Sequence, residues 1–133
     1  MKLIIDYEPT AKGVPRTKYV NGHVITYYHW KTTRALEAIR ALITNMKLKP
    51  FPEHTPIKMT VTFWRTKSKW LPRRETLPFR KPDLDNFLKW CIDGLSGLAF
   101  ADDAQVTSLI AQKRWSTNGH GYVEIKLEED TDA

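Results

Sequence analysis

Between Leu84 and Leu98 the apolar residues Leu84, Phe87, Leu88, Cys91, Ile92, Leu95 and Leu98 follow one another at steps of three or four. At about 100° per residue they gather into an arc of roughly 140–180°, so this segment is a helix with one face committed to a core. A strand, whose side chains alternate between faces, would split the same set across both sides of a sheet. The helix leaves a polar stripe on its other side, Asp85, Lys89 and Asp93 at i, i+4 and i+8. Whatever this chain folds into must bury the first stripe and display the second.

The rest of the chain supplies short elements around that helix. Lys2 to Tyr7 alternates weakly and ends before Pro9, which predicts a strand, and Pro9 to Pro15 is a loop. Lys18 to Tyr27 is a hairpin, because Asn21-Gly22 suits a type I′ turn. Ala35, Leu36, Ile39, Leu42, Ile43 and Met46 give a helix from about Thr32 to Lys47, stopped by Pro50 and Pro52. Strands follow at Pro56 to Thr66, at Gln105 to Trp115 and at Tyr122 to Glu128, and the acidic end, Glu128 to Ala133, is expected to fray. The order predicts an α+β fold in which a small mixed β-sheet packs against two main helices. With 133 residues, 41% of them hydrophobic and 27% charged, the chain suits one domain spanning 1–133 with a core of its own.

Composition also excludes whole classes. The single cysteine, Cys91, forms no internal disulfide and no Cys-rich zinc site, and His23, His29, His54 and His120 lack metal-type spacing. No apolar run approaches the ~18 residues of a membrane span. Asp6 and Glu8 interrupt the place where a signal peptide would keep its apolar run, so the expected compartment is a reducing cytoplasm, with no membrane partner.

The charge is unevenly distributed. There are 21 Lys and Arg against 15 Asp and Glu, a net +6. Arg65, Lys67, Lys69, Arg73, Arg74, Arg80 and Lys81, set against Glu75 alone, account for all of that excess. Trp70, Phe79 and prolines interleave with them. A localised surface for a polyanion is the functional reading, and a solvated basic loop the plain one.

Five aspartates come immediately after: Asp83, Asp85, Asp93, Asp102 and Asp103. Singly, each has an ordinary role. Asp83 and Asp85 suit a helix start, Asp85, Lys89 and Asp93 suit surface pairing, and Asp102-Asp103 suits a turn. Together, carboxylates that converge repel one another, and a hard divalent cation is the usual compensation. Carboxylates beside a cationic surface match the needs of phosphodiester hydrolysis: Mg²⁺ activates water while basic side chains hold the polyanion. A DNA-binding module without catalysis, or an acidic helix paired internally with its basic neighbour, remain the alternatives at this point.

The stretch Lys81-Pro82-Asp83-Leu84-Asp85-Asn86-Phe87-Leu88-Lys89, then Asp93-Gly94-Leu95 and Ala99-Phe100-Ala101-Asp102-Asp103-Ala104-Gln105-Val106, resembles the RusA family of Holliday junction resolvases. Pro9 to Arg16 is similar to the family's N-terminal segment, with Val14 where an arginine is usual, and Trp90 stands at a usually small position, where it is expected to reshape the rim of the site. The resemblance implies a homodimeric endodeoxyribonuclease, often phage- or prophage-encoded in a bacterial cell, that resolves four-way DNA junctions by paired symmetric nicks in recombination and repair. It implies Mg²⁺, with Mn²⁺ substituting, on Asp83, Asp85 and Asp103, with Asp102 a further candidate ligand. Lys89 is implied as an essential lysine, making Asp83, Asp85, Lys89 and Asp103 the catalytic set, while Asp93 is assigned to the helix or an interface. Arg16, Lys67, Lys69, Arg73, Arg74, Arg80 and Lys81 are the expected DNA-binding residues. A branched-DNA-binding protein with weak or no nuclease activity is the alternative function.

Overall fold

The structure is a computed structural model that describes residues 1–132. In chain order the elements are β1 (Lys2–Ile5), β2 (Arg16–Val20), β3 (His23–Tyr27), α1 (Trp30–Asn45), β4 (Ile57–Arg65), α2 (Leu84–Leu95), β5 (Val106–Trp115) and β6 (Tyr122–Glu129), with a single 3₁₀ turn at Asp103–Gln105. Four strands form one mixed sheet in the order β1-β6-β4-β5, and β2-β3 is a separate ribbon. β6 runs antiparallel to β1 and β4, whereas β5 is parallel to β4. A parallel neighbour requires a crossover. Here the crossover is the basic loop, α2 and the acidic turn, so the basic loop and all five aspartates of the acidic set lie on one connection.

The two helices cover one face of the sheet. Ile57, Met59, Val61 and Phe63 alternate inward along β4 and meet Val123, Ile125 and Leu127 of β6 and Leu3 and Ile5 of β1. Phe87, Cys91 and Leu95 from α2 and Ala35, Ile39 and Ile43 from α1 close this core from above. The expected apolar stripe of α2 is therefore the buried one. Burial pushes the Cys91 thiol up to about 12, so it is a packing group rather than a reactive one.

The helices approach closely where α2 has no side chain. A Cβ on Gly94 would stand 2.8 Å from Ile39 Cγ2. Arg40 Nη1 reinforces this contact by donating to the carbonyls of Asp93 (2.9 Å) and Ser96 (2.8 Å), which the end of α2 leaves without helical partners. Trp90 Nε1 donates to the Ala35 carbonyl at 3.1 Å.

Three expectations need correction. Trp90 is 1% exposed and lies between α1 and Tyr7, so it belongs to the core and not to a rim. The helix α2, expected to reach Leu98, ends at Leu95, and Leu98 packs from the turn beyond it. The acidic end is tied down: β6 extends to Glu129, Asp130 N–H donates to the Pro56 carbonyl at 2.8 Å, its carboxylate accepts from Thr107, and Asp132 pairs with Lys58. The hairpin is as expected, with positive φ at Asn21 (49°) and Gly22 (76°), but all ten strand residues of the ribbon are exposed.

Candidate functional site

Asp83 occupies the cap position of α2, and its carbonyl accepts from Asn86 and Phe87 N–H. Its carboxylate makes no capping hydrogen bond to the helix. It points instead to Lys81 Nζ, 3.0 Å away, with the side chain 48% exposed. An aspartate placed here only to cap would spend an oxygen on the free N–H groups. Asp85 follows in the first turn, exposed, with Lys89 Nζ at 3.7 Å. Two carboxylates and two lysines thus share the open start of α2.

Lys113, which the sequence reading missed, supports this corner from β5. Its Nζ donates to the carbonyls of Arg80 (3.2 Å) and Pro82 (3.0 Å), fixing the backbone that delivers Asp83. Desolvation, aided by the charge of Arg65, holds its ammonium below the ordinary lysine value, while Asp83 opposes the shift. A signal was available: Lys113 stands in phase with Leu109 and Ala111, on the helix-facing side of the strand.

The other aspartates lie elsewhere. Asp93 is eight residues beyond Asp85, about 12 Å along the helix axis, and it pairs with Lys12 Nζ at 2.9 Å. That bond is the main reason the Lys12 ammonium titrates above its usual value. Lys12 N–H also donates to the Asn86 carbonyl at 3.0 Å, so the pair straps the N-terminal loop to α2. Asp102 caps the 3₁₀ turn, and Gln105 completes the capping box by accepting from Asp102 N–H at 3.1 Å while its amide donates to the Pro52 and Thr55 carbonyls. Asp102 and Asp103 are hydrogen-bonded to each other, which holds Asp102 below and Asp103 above the normal carboxylate range. Asp103 also feels Asp93. Among the described residues no three His, Cys, Asp or Glu side chains form a group able to hold a metal ion. The expected convergence of Asp83, Asp85 and Asp103 is therefore not made within one chain. Asp83 and Asp85 together fit a hard cation in donor type but not in number.

The basic segment divides in the same way. Arg65 is sandwiched between Phe87 (5.5 Å) and Trp115 (5.6 Å), and burial lowers its pKa. Glu75, the lone acid, organises the loop: its carboxylate takes a two-pronged hydrogen bond from Arg80, which lowers its own pKa and raises that of Arg80. Its carbonyl accepts from Lys67 Nζ (2.8 Å) and Trp115 Nε1 (3.0 Å). Among the described residues Lys69, Arg73 and Arg74 pair with no carboxylate and face solvent, beside Trp70 (85% exposed) and Phe79 (72%). Arg16 is remote in type as well as in sequence, since it lies on the ribbon.

Residues 6–128 match the family described as endodeoxyribonuclease RusA. The chain belongs to the RusA endodeoxyribonuclease family. It is 28% identical over 129 residues to a protein of Lactococcus phage r1t named crossover junction endodeoxyribonuclease rusA, covering 94% of this chain and 93% of that one. It is likewise 28% identical over 138 residues to YqaN of Bacillus subtilis strain 168, an uncharacterized protein, covering 97% and 96% of the two chains. The chain is thus an endodeoxyribonuclease, of a family generally dependent on a divalent metal. No described helix is long and apolar enough to cross a membrane.

Proposed function

We propose that the protein resolves four-way DNA junctions by paired, Mg²⁺-dependent nicks, acting as a homodimer in DNA recombination and repair. The observation that carries this reading is the pair of exposed carboxylates, Asp83 and Asp85, at the start of α2, immediately after the segment that holds the chain's net positive charge. Asp83 and Asp85 would hold Mg²⁺ at this corner. When bound, the ion activates a water and neutralises charge developing at phosphorus. Lys89, beside Asp85, would donate to the oxygens of the scissile phosphate. Lys69, Arg73, Arg74 and Lys81 grip backbone phosphates, while Lys67 and Arg80 hold the loop in shape.

The third carboxylate comes from a second copy. β5 is the sheet's long open edge, and Leu109 (41%) and Ile110 (53%) are exposed near its middle. Asp103 precedes this strand and Lys113 lies near its far end. Two β5 strands paired antiparallel about a two-fold axis would set the partner's Asp103 near Asp83 and Asp85. The same axis matches the approximate symmetry of a four-way junction.

Purified protein is to be given a labelled mobile four-way junction and the matched linear duplex, in Mg²⁺ and in EDTA. Paired nicks in the junction alone, absent in EDTA, are expected. Cutting of both substrates would demote the reading to a general nuclease, and tight binding with no cutting in Mg²⁺ or Mn²⁺ would leave a junction-binding protein. The shared site has its own test. Asp85→Asn and Asp103→Asn, each inactive alone, should recover nicking when mixed and allowed to exchange subunits, because one of the two sites then receives only intact residues. No recovery would return all the ligands to a single chain.

A further inference from the structure

The tally of net charge hides a second cationic region. Between Glu8 and Glu37 there is no acid, but Lys12, Arg16, Lys18, Lys31 and Arg34 are present, together with Tyr19, Tyr27, Tyr28 and Trp30. The structure gathers most of these on the β2-β3 ribbon and the start of α1. Along the ribbon Arg16 pairs with Tyr27 and Lys18 with Ile25, so the two basic residues share one face. At its base an open cleft of about 690 Å³ is lined by Arg16, Tyr27, His29, Trp30 and Arg34, with Glu37 the only acid on its wall. The aromatic faces are accessible: Trp30 is 58% exposed, Tyr27 38% and Tyr19 77%. Lys31 Nζ lies 5.7 Å from the Trp30 ring and Lys18 Nζ 5.1 Å from that of Tyr27, so cations already flank the surfaces on which a base would stack.

None of this is explained by folding. The ribbon lends no residue to the core, and a free-standing two-stranded ribbon is marginal in water. Exposed aromatics interleaved with Lys and Arg, in a stretch free of acids, form a platform for single-stranded nucleic acid, with cations on the backbone and rings against successive bases.

We propose that the ribbon and the cleft at its base are a second DNA-binding surface, distinct from the basic loop, which takes an unpaired stretch of strand such as one opened at a branch point. Arg16 and Arg34 contact phosphates there, and Trp30 and Tyr27 stack on bases. The proposal rests on the DNA-acting reading above and adds to it the strandedness of the ligand and residues that the charge tally did not single out.

The test is fluorescence anisotropy in EDTA, so that nothing is cut, with labelled oligo(dT), a linear duplex and a four-way junction. The proteins are wild type, Trp30→Ala with Tyr27→Ala, and Arg16→Gln with Arg34→Gln. All four positions lie outside the core, so circular dichroism should be unchanged. The aromatic pair should weaken oligo(dT) binding by about tenfold or more and duplex binding by less than about twofold. The arginine pair should reduce the salt slope for oligo(dT) by about one to two. Unaltered oligo(dT) binding, or equal losses on strand and duplex, would overturn the proposal. So would dissociation of a dimer on sedimentation, which would make the ribbon a subunit arm. Should the wild type bind none of the three DNAs, the wider DNA reading fails with it; if wild type binds and the variants match it, only this inference falls.

Discussion

The two ends of α2 carry the same residue type in opposite circumstances. At the start, Asp83 and Asp85 are exposed and face the lysines Lys81 and Lys89, and the Asp83 carboxylate makes no capping hydrogen bond. At the far end, Asp93 is held by Lys12, its own carbonyl is held by Arg40, and Asp102 is spent on a capping box. Asp93 and Asp102 tie separate parts of the fold together, whereas Asp83 and Asp85 pair with lysines of their own segment. Position on one helix thus separates carboxylates left open to solvent from carboxylates that join elements, although the sequence writes both as Asp.

This contrast can be broken by substitution. The largest effect belongs to Asp85→Asn, which should lower junction cleavage by at least about a hundredfold, more than loss of an outer partner, without altering the urea midpoint or junction binding in EDTA. A near wild-type rate would dissolve the distinction. Lys113→Met keeps the aliphatic stem but removes both hydrogen bonds to the Arg80 and Pro82 carbonyls. It should cost about tenfold in cleavage and raise the Mg²⁺ concentration for half-maximal activity, with junction affinity unchanged. A uniform loss of stability with no shift in Mg²⁺ dependence would make Lys113 a packing residue only. The smallest effect is expected from Asp93→Asn. Its pair with Lys12 is about a third exposed on both sides, so stability should fall by only a few tenths of a kcal/mol. Cleavage should survive, and a large catalytic defect would show that Asp93 is chemical after all.

Much of this was legible in the sequence because it is local. The stripe from Leu84, the Asn21-Gly22 turn and the alternation along β4 each report on residues within a few positions of one another, and each appears where expected, apart from the helix's end at Leu95. What escaped depends on contacts distant along the chain. Trp90 looked like a rim residue until Ala35, 55 positions away, supplied its acceptor. Lys113 went unmarked because its acceptors, the Arg80 and Pro82 carbonyls, lie more than thirty positions away. The acidic end looked loose because nothing nearby binds it, whereas Lys58 and Thr107 do. The aspartates were the hardest case. Clustering in sequence suggested clustering in space, but a straight helix is a spacer, and it holds Asp103 away from Asp83. Adding charges over long stretches also concealed the acid-free ribbon, since the acids that balance it lie elsewhere in the fold.

The hydrogen at the α-carbon of Gly94 has a reach beyond its own contact. Because α2 rests on Ile39 with no side chain between them, the helix has a fixed seat on α1, and the Arg40 fork stops it from sliding or rolling there. A methyl group at Gly94 would act as a shim under a lever: a lift of a few tenths of an ångström at the pivot would be carried along a stiff rod to the carboxylates at its tip. The aim of the exposed carboxylates is thus set more than two turns away, by an atom that is not there.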